Sequence, residues 1–280
     1  MKSFLRLVRA LNLAIIVFTQ FIARIFIIGP YEDWVQIIQE KEIYLLSLAT
    51  VLIAAAGYII NDYYDVKIDV INKPKKMVID RGLSRRNALL IHTVFNMVAV
   101  AIGFYISINV MLFFLATTFL LWLYSNQLKR IALIGNISVA SLSASSILIL
   151  GLYYHEHFQM ILFFTIMSFL MSLVREIIKD MEDIKGDRIH GCKTLPIVWG
   201  ISKTKILIYF ILASLISLFL YYQIEVNYFG PIINCLLSIV IIYLGIKLFS
   251  ADKKKDFDHL SMISKIVLIL GVVAIIFAAN

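Results

Sequence analysis

The chain has 280 residues, of which 61% are hydrophobic and 16% charged, with a formal net charge of +8 and a mean hydropathy of +0.90. This composition excludes an ordinary water-soluble domain and points to a helical protein that crosses a membrane many times. The positive charge calls for no nucleic-acid partner, because the cytoplasmic loops of membrane proteins carry an excess of Lys and Arg.

Apolar stretches long enough to cross about 30 Å of hydrocarbon, roughly 17 to 25 residues each, are predicted at 7–28, 43–61, 88–106, 108–124, 131–154, 158–175, 204–222, 229–249 and 261–279. They describe one all-α bundle of nine transmembrane helices, with residues 1–280 forming a single domain. The first span is expected to stay on the chain, since it is too long for a secretory signal and contains Arg24. Arg24 itself is expected to snorkel towards the outer surface. In span two, Ala54 to Ala56 and Gly57 offer a small face for close helix packing.

Span two runs into NDYYDVKID, residues 61 to 69, which opens a polar connection over 62–87. Lys129 and Arg130 follow span four, and His155 and His157 fall in a short outer loop where solvation is expected. Span six then runs into KDMEDIKGD, where Asp180, Asp183 and Asp187 repeat the spacing of Asp62, Asp65 and Asp69. Cys192 and Cys235 share neither a compartment nor metal-ligand spacing and are expected to be free thiols. Lys253, Lys254 and Lys255 are expected to anchor the last span on its cytoplasmic side.

Placing the N-terminus inside puts all of the 26 Lys and Arg except Arg24 and Lys41 on one side of the membrane. The C-terminus is then outside. Spans two and six are separated by an even number of crossings, so both aspartate clusters emerge on the same, cytoplasmic, face. The chain is expected in a cytoplasmic or inner membrane, with its active site facing the cytoplasm.

At 3.6 residues per turn, Asn61, Asp65 and Asp69 share one helix face, and so do Glu176, Asp180, Asp183 and Asp187. Two such stripes turned into one cavity repel each other unless a cation lies between them. An all-oxygen set suits a hard ion such as Mg²⁺, which keeps some waters and bridges to phosphate oxygens. Lys and Arg interleave with the acids, among them Lys73, Arg81, Lys129, Arg130 and Lys179. Carboxylates, a metal and bases together describe a diphosphate site.

The segments Asn61-Asp-Tyr-Tyr-Asp65-Val-Lys-Ile-Asp69 and Asp180-Met-Glu-Asp183-Ile-Lys-Gly-Asp187 resemble the two aspartate-rich motifs of the UbiA family of intramembrane prenyltransferases. Lesser matches are Arg9-Ala-Leu-Asn12, Tyr124 to Arg130 and Gly135-Asn136, so the resemblance covers nearly the whole chain. It implies nine helices around a central cavity, open sideways to lipid. It further implies that Asn61, Asp62, Asp65, Asp69, Asp180, Asp183 and Asp187 hold Mg²⁺ on a polyprenyl diphosphate, with Asp65, Asp69, Asp183 and Asp187 central to catalysis. Asn12, Lys73, Arg81, Tyr124, Lys129, Arg130, Asn136 and Lys179 are the expected substrate-binding residues. The metal neutralises the leaving diphosphate, and a lipophilic acceptor captures the allylic cation. Tyr63, Tyr64 and Tyr124 are candidates to stabilise that cation through their ring faces.

Downstream, Asp69-Val-Ile-Asn72-Lys-Pro74 and Gly82-Leu-Ser84 are similar to members of the family that prenylate geranylgeranylglyceryl phosphate in ether-lipid synthesis. The loop departs from their pattern at Lys76-Met77, where Arg-Pro is usual. An aromatic acceptor of quinone biosynthesis is the alternative. If the acceptor is phosphorylated, Lys73, Arg81, Arg85 and Arg86 are the bases expected to receive its phosphate. Outside the prenyltransferases, Tyr64-Asp65 with Gly186-Asp187 imitates an intramembrane aspartyl protease, but Ile184 stands where its first glycine belongs and four aspartates are left unexplained. A transporter is the remaining alternative.

Overall fold

The computed structural model describes residues 2–72, 77–80, 82–226 and 231–277, without the side chains of 2–3, 67–69, 71–72, 222–226 and 231–235. Lys73 and Arg81 therefore lie outside the described residues, as does the side chain of Asp69. Among the described residues, the chain is helical with only isolated bridges between extended positions. This follows from composition, because lipid offers no partner to backbone N–H and C=O groups and a helix satisfies them internally.

The elements in order are α1 (Lys2–Leu7), α2 (Ala10–Ala23), α3 (Trp34–Ile37), α4 (Lys41–Asn72), α5 (Arg85–Ile106), α6 (Ile108–Asn126), α7 (Ile134–Tyr154), α8 (Phe158–Ile189), α9 (Leu195–Trp199), α10 (Ile201–Val226), α11 (Pro231–Ser250) and α12 (Lys254–Ile276). Eight helical segments among the described residues are long and apolar enough to cross a membrane. The segment Leu236–Ser250 of α11 is apolar but shorter. It occupies the place of the eighth predicted span.

Two helices, α4 and α8, have 32 residues each. At 1.5 Å per residue each is about 48 Å long, well beyond the roughly 30 Å of hydrocarbon. The helix therefore continues past the predicted ends of spans two and six and carries both aspartate stripes on rigid backbone. The short 106–108 connection is a single extended residue, Ser107, whose hydroxyl accepts from the Val110 N–H at 3.2 Å and caps α6. Close approach in this hairpin is possible because Gly103 has no side chain; a Cβ there would lie 2.8 Å from the Phe114 ring.

The main core runs along α8, which packs against α7 and α12. A smaller cluster of Leu7, Val8, Ala55, Ile59, Val78, Ile79 and Ala88 fastens α1 and residues 78–79 to α4 and α5. The small face of α4 is used as expected, since a Cβ on Gly57 would come within 2.7 Å of Leu121 on α6.

Arg24 does not snorkel. It starts a π-helical turn, Arg24–Ile28, at the end of α2 and is buried. Its Nε donates to Glu40 Oε2 at 3.0 Å, its Nη2 also donates to Glu40, and its guanidinium lies 4.5 Å from the centre of the Tyr154 ring. Pairing with a carboxylate nearby relieves the charge locally, so the side chain has no need to reach water. His155 and His157 are exposed in the turn between α7 and α8, at the opposite end of α8 from the aspartates.

Candidate active site

One cavity of about 790 Å³ is lined by both aspartate stripes. Its walls divide chemically. Ile53, Leu121, Phe163, Phe164, Met167 and Leu215 are among its apolar lining, while Asn61, Asp62, Asp65, Asp180, Asp183 and Asp187 line its polar part.

On α4, Asn61 Nδ2 donates to Asp65 Oδ2 at 3.0 Å, one helical turn away. The other Asp65 oxygen accepts from Lys129 Nζ at 2.6 Å. Lys129 sits on a 3₁₀ turn, Leu128–Arg130, between α6 and α7. That turn lies tight against the start of α7, where a Cβ on Gly135 would be 2.7 Å from the Leu128 carbonyl oxygen and 2.9 Å from Lys129 Cα. It is also tied to the segment after α8, because the Lys193 N–H donates to the Arg130 carbonyl at 2.9 Å. The Lys129 ammonium is thus positioned by backbone on two sides.

On α8, Glu176 accepts from Arg175 Nη1 at 2.7 Å and from Lys179 Nζ at 2.9 Å. Asp180 Oδ2 accepts from Asn136 Nδ2 at 2.8 Å. Asp183 has Lys254 Nζ at 4.0 Å, which brings one of the supposed anchor lysines to the site. From α2's N-terminal side, Arg9 Nη2 donates to Asp62 Oδ1 at 3.3 Å and its guanidinium stacks 4.5 Å from the Tyr58 ring centre. Pairs of acid and base therefore line the polar part of the cavity.

Of the residues expected from sequence, Asn12, Asn61, Asp62, Asp65, Tyr124, Lys129, Arg130, Lys179, Asp180, Asp183 and Asp187 all line this cavity. Asn136 does not. It is buried, and its Nδ2 donates to Asp180, one of the acids of the lining. Tyr63 and Tyr64 are not in the lining either; Tyr63 takes the Arg85 guanidinium over its ring at 4.5 Å. Phe163, Phe164, Phe219 and Tyr58 supply aromatic surface in the cavity instead. Arg85 and Arg86 lie outside the lining.

Cys192 is buried and lines the cavity, and burial, with the nearby Asp187 carboxylate, pushes its thiol pKa up. The least anticipated member is Lys265. Its place after a basic segment reads as loop charge, yet it lies inside α12 and lines the cavity, with Nζ 2.9 Å from Asn12 Oδ1. A lone charged residue within the predicted span 261–279 was the available signal.

Apolar helices around a cavity that is ionic in one part and apolar in another define an integral membrane protein suited to an amphiphile with an anionic head. Residues 17–278 match the UbiA prenyltransferase family. The digeranylgeranylglyceryl phosphate synthase of Sulfurisphaera tokodaii is 31% identical over 277 residues, covering 95% of this chain and 96% of that one. That of Thermococcus sibiricus is 38% identical over 174 residues, and this match spans 62% of either protein. Among solved structures, one of a digeranylgeranylglyceryl phosphate synthase superposes with a TM-score of 0.77 at 25% identity, covering 99% of this chain and 98% of that one. A UbiA homolog from Archaeoglobus fulgidus, bound to GPP and Mg²⁺, has the same fold with a TM-score of 0.62 at 18% identity, over 98% of this chain and 99% of that one. The chain belongs to the UbiA prenyltransferase family and is a membrane prenyltransferase.

Proposed function

We propose that this enzyme transfers a geranylgeranyl group from its diphosphate to the glycerol hydroxyl of geranylgeranylglyceryl phosphate, with Mg²⁺ as cofactor. The observation that carries the reading is the convergence of two carboxylate stripes on one cavity that also has extended apolar walls. The acceptor comes from the relatives, whose names specify that product and one of which aligns over 95% of this chain.

The donor set fits the ion chemically. All its ligands are oxygens, and Asn61 Oδ1 is a buried acceptor with no hydrogen-bond partner. Among the described residues no three His, Cys, Asp or Glu side chains gather closely enough to enclose an ion. One or two carboxylates with substrate oxygens and water completing the shell is the usual manner of Mg²⁺. One or two carboxylates drawn from Asp62, Asp65 and Asp69 beside Asn61 on one side, and from Asp180, Asp183 and Asp187 on the other, would hold it together with the substrate, where it would neutralise the departing diphosphate.

Lys129 and Lys179 exchange their carboxylate partners for phosphate oxygens when the donor arrives, and Arg130, on the same cavity wall, adds a further cation. The allylic C–O bond breaks and the diphosphate leaves with its electron pair. The glycerol hydroxyl oxygen then forms a new C–O ether bond to the allylic carbon, its proton passing to the diphosphate. The apolar walls hold the prenyl chain and keep water from the allylic cation. Tyr124 adds a ring near the charged groups.

Membranes containing the enzyme are expected to move label from radioactive geranylgeranyl diphosphate into geranylgeranylglyceryl phosphate, and into neither a hydroxybenzoate nor a dihydroxynaphthoate. Chelation with EDTA should stop transfer and added Mg²⁺ restore it. Label in an aromatic product would replace the acceptor, and transfer indifferent to EDTA would remove the metal.

The site is proposed to face the cytoplasm, with nine crossings and the C-terminus outside. The charge partition supports this orientation. In a background with Cys192 and Cys235 replaced by serine, Arg86→Cys and Ile189→Cys should react with an impermeant maleimide only from the cytoplasmic side, and Glu156→Cys only from outside. The opposite pattern would put the site on the outer face.

A further inference from the structure

Five of the bases around the polar part of the cavity have a carboxylate partner, namely Lys129 with Asp65, Arg9 with Asp62, Arg175 and Lys179 with Glu176, and Lys254 with Asp183, while Arg6 and Arg130 line it beside them. Lys265 differs. Among the described residues no carboxylate is within ion-pair distance of it, and its hydrogen bond goes to the neutral Asn12 amide oxygen at 2.9 Å. The Asn12 amide is itself oriented, because its Nδ2 donates to the Tyr58 hydroxyl at 3.4 Å. Arg175, on the neighbouring helix α8, lines the same cavity and has a buried Nε with no acceptor.

An ammonium inside an apolar helix is costly unless an anion or several dipoles compensate it, and one amide oxygen is a weak substitute for water. Such a group, placed on a cavity wall, is suited to an anion brought by a ligand. The donor's diphosphate is already matched by the aspartate stripes, their metal, and Lys129, Arg130 and Lys179. A second anionic group is therefore needed for Lys265, and the acceptor carries one.

We propose that Lys265, oriented by Asn12 and supported by Arg175, is the subsite for the phosphate monoester of the acceptor and selects phosphorylated over neutral glyceryl ethers. This rests on the acceptor assigned above. It moves acceptor recognition from the bases after Asp69 to the wall formed by α8 and α12, with Asn12 beside it.

The test compares geranylgeranylglyceryl phosphate with geranylgeranylglycerol, which lacks the phosphate, in the full-length enzyme with Mg²⁺ present. Lys265→Gln should raise KM for the phosphorylated acceptor by about 10- to 100-fold, the worth of a charged hydrogen bond. KM for geranylgeranyl diphosphate should stay within about twofold, and the preference for the phosphorylated acceptor should collapse. Lys265→Arg should recover most of that preference. Asn12→Asp, which gives Lys265 an internal carboxylate, should lose it as Lys265→Gln does, and it provides the measurement if the Gln variant fails to accumulate. An unchanged acceptor KM and preference in these variants, or a rise in the donor KM instead, would overturn the subsite while leaving the reaction intact. No transfer to geranylgeranylglyceryl phosphate by the unaltered enzyme would instead overturn the acceptor assignment.

Discussion

Asp65→Asn and Asp183→Asn are each expected to lower transfer by about 10²- to 10³-fold or more, the loss seen when one preorganised group facing transition-state charge is removed. Asparagine keeps the volume and removes the charge. Asp65 holds two partners, Asn61 Nδ2 at 3.0 Å and Lys129 Nζ at 2.6 Å, so the change weakens an oxygen proposed to bind the ion and also releases the lysine. Asp183 lies on the other stripe with Lys254 at 4.0 Å, and its loss removes charge from the second wall. Turnover at saturating Mg²⁺, together with the amount of protein extracted from membranes and its elution as a single species, is the measurement. Near-normal turnover in either variant would sink the two-stripe reading, because both stripes are required to face the diphosphate.

Gly135→Ala should be nearly as damaging, although residue 135 is not in the cavity lining. A Cβ there would sit 2.7 Å from the Leu128 carbonyl oxygen and 2.9 Å from Lys129 Cα. Both are backbone atoms, which cannot rotate aside. The 3₁₀ turn must therefore move, and Lys129 moves with it. Overpacking of this kind costs about 1–3 kcal/mol in stability, and a displacement near 1 Å at a positioned group costs about 10²-fold in rate. Gly245→Ala is the control, since its Cβ would make only an ordinary contact with the Tyr209 ring at 3.8 Å and it lies outside the cavity lining. The comparison needs kcat and the detergent unfolding temperature of both variants. Equal, small effects would mean that the turn does not set the position of Lys129.

Helix type and the aspartate stripes were legible because each depends on local spacing. An apolar run of sufficient length is helical wherever it lies in lipid, and acids at i, i+4 and i+7 share a face on any helix. That Asp65 and Asp187 could meet also followed from sequence, since an even number of crossings returns the chain to the same side, and the packing places both on one cavity. The continuation of α4 and α8 beyond the hydrocarbon agreed with that reading, because the stripes require the helix to persist.

What sequence left open was the direction in which each single side chain points relative to other helices. Arg24 reads as a charge near a membrane edge, and only the packing of α2 beside Glu40 and Tyr154 turns it inward. Asn136 and Lys129 lie seven positions apart across a turn, yet one donates to a carboxylate of the lining while the other reaches into the cavity. Tyr63 and Tyr124 were equal candidates, and the orientation of α4 takes the first away from the cavity while α6 presents the second. Lys265 reads as one more cytoplasmic charge until α12 is packed against α8 and meets Asn12 of α2. Local spacing determined the helices and the two acidic faces, because 3.6 residues per turn is a property of a segment alone. Which base meets which acid, and which one is left for a substrate, was decided by contacts between segments distant in the chain, and only their packing brings those together.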